Sequence, residues 1–305
     1  MSRDLSPNDP RLERSPESWF MEPTESSSGV VSDRAAPTSD LRTIPWSNTP
    51  LLSEREDTAR AYLLNDRTFV LRESELRDLL GIGTFRVVAA RDLARFGYAD
   101  DAPRMERDIR RLAAQGLLLD KTLPVSGRQT LRVFALTKAG KRVLLGTNRV
   151  PDGQVIFSGL VQPREAKHDS ELYRLFQTAA SRIAAEGGRP LRVVLDYELK
   201  RAVNRERARL GDRQNTPQEM ARLAAKNGLA VVNGKIPLPD LRIEYQTPEL
   251  ELRRADLELA TRHYRPRGLA EKAKAGFVFY SRGEEAPRLR RILDRQKLAA
   301  RIFTL

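Results

Sequence analysis

The sequence predicts an α+β protein in which two folded domains follow a polar N-terminal tail. Three observations lead there. A chain of 305 residues with 40% hydrophobic side chains is long enough to bury two ordinary cores. Between residues 51 and 149, helical periodicity gives way to a pair of strands. Between residues 165 and 305 the element order is α-β-β-β-α-β once a charged helical insertion is set aside.

Residues 1–50 crowd Ser and Pro, include Ser26-Ser27-Ser28 and show no periodicity. Such a segment buries too little apolar surface to offset its conformational entropy, so disorder is expected. Both tryptophans nevertheless lie here, in Ser18-Trp19-Phe20-Met21 and Ile44-Pro45-Trp46. Two readings stay open for them: anchors for a protein partner, or side chains that pack on the chain's own domain.

The formal net charge is +13. The first 50 residues hold 5 basic and 8 acidic side chains, leaving 49 and 33 for the remainder, so the positive field belongs to the folded part. Such a field attracts polyanions, and nucleic acid is the expected partner class. Cysteine is absent, which excludes disulfides, thiol nucleophiles and zinc fingers and fits a reducing cytoplasm. Neither a secretory signal nor an apolar run of about 18 residues is present, so no membrane partner is expected and the location is read as cytoplasmic.

In the first domain, a helix is expected from Ser53 to about Leu64 and a second from about Arg72 to Leu80, with Leu76, Leu79 and Leu80 on one face. A short helix around Arg91-Asp92-Leu93-Ala94 should end at a Gly97-Tyr98 turn. Asp100 or Asp101 can cap the next helix, Pro103 is tolerated in its first turn, and Gly116 stops it after Gln115. Met105, Ile109, Leu112 and Ala113 form its buried stripe, leaving Arg104, Arg107 and Arg111 on the solvent side. Strands at Leu117–Leu119 and Leu131–Leu136 flank a polar loop with Lys121, Gly127 and Arg128, and Thr137 caps a last helix with Lys138, Lys141 and Arg142.

Arg107-Asp108-Ile109-Arg110-Arg111-Leu112, then Gln115-Gly116-Leu117, then Leu136-Thr137-Lys138-Ala139-Gly140 occur in an order that resembles the winged helix-turn-helix domains of bacterial transcription factors. The resemblance runs from Phe85 to Gly146 and implies a double-stranded DNA partner. Arg104, Arg107 and Arg111 would enter the major groove, and Lys121 and Arg128 on the wing would meet phosphates. The competing reading is a solvated helix face with Arg107 and Arg111 paired to Asp108 or Glu106.

After a linker near Val150 to Arg164, a helix starting at Asp169 or Ser170 turns Leu172, Leu175, Phe176, Ala179 and Ile183 inward and ends at Gly187-Gly188. A strand follows at Leu191–Leu195, then a charged helical insertion from Tyr197 to about Gly228 with a break around Gly211–Asn215. Strands are expected at Leu241–Tyr245 and Ala255–Leu259, a helix at Pro266–Lys274, a last strand at Phe277–Tyr280 and a basic helix from Glu284 to Ile302.

That order, with Pro239-Asp240 opening one strand and Asp256 and Glu258 on the next, resembles the PD-(D/E)XK nuclease fold. Residues 51–305 together resemble the replication-relaxation family of plasmid and mobile-element proteins. The family implies either a DNA-binding regulator of replication, transfer or transcription with a nuclease-like scaffold, or a metal-dependent endonuclease aimed by its winged helix. DNA binding needs no cofactor, whereas cleavage implies Mg²⁺ held by Asp240, Asp256 and Glu258. The nuclease pattern has lysine two residues after the acid; here Glu258 follows Asp256 and Ala260 follows Glu258, so Lys274 or Lys272 would have to substitute from the next helix. Glu171 is a further candidate ligand, and His168 and His263 are structural hydrogen-bonders or members of the site. Asp240 also reads as an ordinary strand-start residue after proline. A homodimer reading paired half-sites fits the winged-helix resemblance, although no heptad run supplies a dimer helix.

Overall fold

The computed structural model describes residues 57–305 except 65, 127–128, 211–215 and 262–263. The tail with its tryptophans, the loop residues Gly127 and Arg128, the break at Gly211–Asn215 and His263 lie outside the described residues. Among the described residues the protein is mixed α and β, with nine helices and three sheets.

The first element departs from its expectation. Ala59–Leu64 is strand β1, paired antiparallel with β2 (Arg67–Arg72) through a turn in which Asp66 takes φ 60°. The leucines that suggested a helix alternate instead: Tyr62 and Leu64 pack inward beside buried Phe69 and Leu71, while Leu63 and Val70 face solvent. α1 (Glu73–Thr84) then buries Leu76, Leu79 and Leu80, and Glu75 in its first turn accepts the Arg72 amide at 2.8 Å.

β3 (Val88–Ala89) leads into α2 (Ala90–Tyr98), which keeps Gly97 and Tyr98 within the helix. The chain turns one residue later than expected because Ala99 and Asp100 take φ 48° and 68°. α3 (Ala102–Ala114) is capped by Asp101, whose carboxylate accepts the Arg104 amide, and Gly116 at φ 75° ends the run. β4 (Leu118–Ser126) and β5 (Gln129–Leu136) form an antiparallel hairpin with β3 on the far side of β5. Thr137 caps α4 (Lys138–Leu145) by accepting the Gly140 amide at 2.9 Å. A Cβ on Gly140 would stand 2.1 Å from the Leu117 carbonyl oxygen, so glycine is required for this helix to seat on the hairpin.

The segment expected to be a linker is pinned in place. The Phe157 amide donates to the Gly83 carbonyl at 2.7 Å, the Gly159 amide to Leu136 at 2.8 Å, and the Gln154 side chain bonds both backbone groups of Val193. α5 (Pro163–Ala185) therefore starts earlier than Asp169 and packs against α2, β3, β4 and β5 as well as β6 and β7. Phe85 sits between Tyr173 and Phe176, with ring centroids 5.4 and 5.2 Å away, inside one core that runs from Phe69 to Tyr280. The described residues belong to one compact unit.

β6 (Arg189–Leu195), α6 (Asp196–Leu210), α7 (Pro217–Lys226), β7 (Leu241–Gln246), β8 (Leu252–Leu259), α8 (Pro266–Lys274), β9 (Val278–Ser281), α9 (Ala286–Arg295) and β10 (Ile302–Thr304) complete the chain. Their sheet runs β10-β9-β8-β7-β6, antiparallel from β6 to β8 and parallel from β8 to β10. β9 is thus not the last strand. The basic helix stops at Arg295, Lys297 turns the chain at φ 54°, and Ile302-Phe303 returns to the sheet by the helical crossover that parallel pairing requires. Among the described residues no helix is long and apolar enough to cross a membrane.

Candidate nucleic-acid interface and a buried charge cluster

α3 buries Met105, Asp108, Ile109 and Leu112, so its outward face is centred on Arg107 and Arg110, both exposed. Arg104 and Arg111 lie on one flank and are less open. Arg111 donates through Nε to Glu75 at 2.8 Å and through Nη2 to Asp108, and Arg104 stands 3.6 Å from Asp57. Arg104, Arg107 and Arg111 do come together, with Arg72, around a cleft that also holds Asp57 and Asp108. Arg110, absent from the arginines that the sequence singles out, belongs to the same helix face as Arg107; a wheel centred on the buried stripe finds it.

The flank rests on a buried polar network. Ser74 donates its amide and hydroxyl to Asp57 at 2.8 and 2.7 Å, and Tyr98 reaches both Asp78 and, at 2.9 Å, Asp108. One hydroxyl proton cannot serve two carboxylates at once. Burial pushes the Asp78 carboxyl up to about 8 against the lowering effect of the Tyr98 hydrogen bond, and the Asp108 charge adds to the rise. Protonated Asp78 then supplies the second proton, and α1, α2 and α3 are tied through one residue from each.

The other flank is held from the hairpin. Arg132 on β5 grips Glu106 of α3 and, at 2.9 and 2.6 Å, Asp120 of β4. Its guanidinium is held even more firmly protonated by Asp120 and Glu106. Lys121 is exposed on β4, level with Val133. Arg128 lies outside the described residues.

The second set of candidates divides. The register sets Arg242 opposite Asp256 and Leu241 opposite Leu257, so Asp240 comes beside Glu258. The Asp240 amide donates to Glu258 Oε2 at 3.3 Å, and the Leu259 amide donates to Asp240 Oδ2 at 2.9 Å. Asp256 instead receives Arg242 in a two-point bond at 2.6 and 3.0 Å, while Arg242 also donates to the carbonyls of Asn227 and Gly228. Asp256 therefore orients the arginine that ties β7 to the end of α7. Glu171 is taken by Arg282.

Lys274 is exposed; Lys272 is the buried lysine at the acids, donating to Glu258 Oε1 beside the Tyr264 hydroxyl. The two lysines sit roughly 200° apart on the helix, and Lys272, three residues after buried Leu269, falls on the inward side. His168 contacts Asp240 at 3.7 Å and Asp169 at 3.6 Å. Burial works against protonating this imidazole, but the two aspartates outweigh it and raise it to about 10. Burial likewise works to raise Asp240, yet Lys272 and His168 hold it well below the usual carboxylate range. Glu258, fully buried beside the Asp240 charge, is pushed up.

Mg²⁺ asks for several oxygen ligands with open lone pairs and keeps several waters. Here both oxygens of Glu258 are engaged by protein donors, Asp256 is committed to Arg242, and two protein cations already face the acids. The residues present do not fit a resident Mg²⁺. Among the described residues no group of three or more acidic or imidazole side chains is placed to hold a metal. Comparison of the chain with protein-family models, curated proteins and solved structures gives no significant match.

Proposed function

We propose that this chain is a sequence-directed double-stranded DNA-binding protein that sets α3 into the major groove and the β4–β5 hairpin against the backbone, in the manner of a winged helix-turn-helix domain. The observation that carries the reading is the outward pair Arg107 and Arg110 on a helix clamped from both flanks, by Arg111 with Glu75 and Asp108 and by Arg132 with Glu106 and Asp120. Guanidinium groups hydrogen-bond guanine edges and phosphates, and a helix fixed before binding loses little further freedom on docking. The net charge of +13 supports the same partner.

On this reading the C-terminal half is a nuclease-like scaffold, and the chain acts in the cytoplasm as a regulator of plasmid or mobile-element replication, transfer or transcription, in the replication-relaxation family. Two copies would read an inverted repeat. Selection from a random duplex pool followed by fluorescence anisotropy tests it. Enrichment of one sequence, with affinity that falls as salt rises, is expected. A pool that stays random, or binding that ignores salt, would refute it.

A further inference from the structure

Asp240 and Glu258 are neighbouring acids in a place almost closed to water: they are 6% and 0% exposed. Carboxylates so buried need a counter-ion. We infer that Lys272 is the resident cation of this site, an ammonium doing what a divalent ion would do, so that Asp240 and Glu258 form a metal-independent tie and a latent metal site that opens only when Lys272 is removed. This inference does not depend on the DNA-binding reading.

Four features of the surroundings support it. The Lys272 side chain is itself buried and donates to Glu258 Oε1. The rings of Tyr264 and Phe277 lie 5.8 and 5.9 Å from its Nζ, so aromatic faces complete a cage of carboxylate and π electrons around one positive charge. Further acceptor positions are taken by the Tyr264 hydroxyl on Glu258, by the Asp240 amide on Glu258 and by the Leu259 amide on Asp240. His168 closes the cluster from α5, 3.7 Å from Asp240. The cluster thereby joins α5, the β7–β8 pair and α8 through charge rather than apolar contact.

Removing the ammonium leaves two neighbouring acids short of a cation, with His168 still at Asp240, and carboxylate oxygens are the ligands a Mn²⁺ or Mg²⁺ ion prefers. The experiment is thermal unfolding and calorimetric Mn²⁺ titration of the full chain, as wild type, Asp240→Asn, Lys272→Ala, and Lys272→Ala with Asp240→Asn. The wild type should unfold at the same temperature in chelator and in Mn²⁺ and show no saturable uptake. Lys272→Ala should be less stable in chelator, recover with Mn²⁺ and take the ion up saturably where the wild type does not. The double variant should lose that recovery. Saturable Mn²⁺ uptake by the wild type that Asp240→Asn abolishes would overturn the assignment, and so would a Lys272→Ala protein indifferent to the ion. If Lys272→Ala does not fold, the comparison of wild type with Asp240→Asn decides alone.

Discussion

Replacing Asp78 by asparagine should make the protein more stable at neutral and alkaline pH, against the usual expectation for a buried residue. Asp78 is buried, bonded by Tyr98 and close to the Asp108 charge, and its carboxyl is pushed up to about 8. In the unfolded chain an aspartate titrates near 4. The folded-state value is raised, so the contribution is fully present below about pH 4 and is lost as pH rises towards about 8. Across that window the native state holds one proton that the unfolded state has released, a slope of about 1.4 kcal/mol per pH unit and an upper bound of roughly 5 kcal/mol at its alkaline end. Relaxation around the site reduces the bound, and ~2–4 kcal/mol is the expected span. Asparagine keeps an amide that can donate to the Tyr98 oxygen, mimics the protonated acid and carries no titration. Urea unfolding of both proteins at several pH values between about 4 and 9 isolates the effect, because every other titrating group is shared. The asparagine variant should gain on the wild type steadily as pH rises; parallel curves would show that Asp78 ionises normally and that the Tyr98 network is not proton-sharing.

Three further outcomes are expected. Phe85→Ala removes a fully buried ring that touches Tyr173 and Phe176; it should cost about 3–5 kcal/mol and lower a single unfolding transition seen by probes in both halves of the chain. Two separate transitions, only one of them shifted, would contradict the continuous core. Gly140→Ala should destabilise despite alanine's higher helix propensity, because its Cβ would collide with the Leu117 carbonyl; denaturant unfolding showing neutral or improved stability would mean that α4 shifts freely on the hairpin. Arg132→Met should loosen the hairpin from α3 by breaking its bonds to Glu106 and Asp120, raising amide exchange in β4 and β5, whereas unchanged exchange would show that the strand pairing alone holds them.

Much of this architecture is legible in the sequence because its signals are local. The apolar stripe Met105, Ile109, Leu112 and Ala113, a cap at Asp100 or Asp101, the stop at Gly116 and the cap at Thr137 are read within a few residues; the structure keeps the stop and the Thr137 cap, uses Asp101 as the first cap and leaves Ala113 only half-buried. β1 reads as a helix because Leu63 and Leu64 look alike in composition, and only pairing with Phe69 and Leu71 decides which face each takes. β10 is short and depends on β9 for its existence. Charge pairing is the least legible layer. Arg111 meets Glu75 across 36 residues and Arg282 meets Glu171 across 111, so no window of sequence shows that these groups are committed. The same blindness places Asp256 with Glu258 on the strength of strand alternation, when the cross-strand neighbour Arg242 has already claimed it. Lys272 and Arg110, by contrast, follow from helix geometry alone once the buried stripe is fixed.

On the proposed reading the outward face of α3, and not net charge as such, carries duplex binding. The most direct measurement compares the salt dependence of duplex affinity for the wild type, for Arg107→Gln with Arg110→Gln, and for a charge-matched control, Arg290→Gln with Arg291→Gln, on the exposed side of α9. The α3 pair should lower the slope of log affinity against log salt by about 0.9 for each phosphate that is no longer neutralised and erase preference for the selected sequence, while the α9 pair leaves that preference intact. Equal reductions from the two pairs, with sequence preference untouched in both, would contradict the claim and leave only a basic surface.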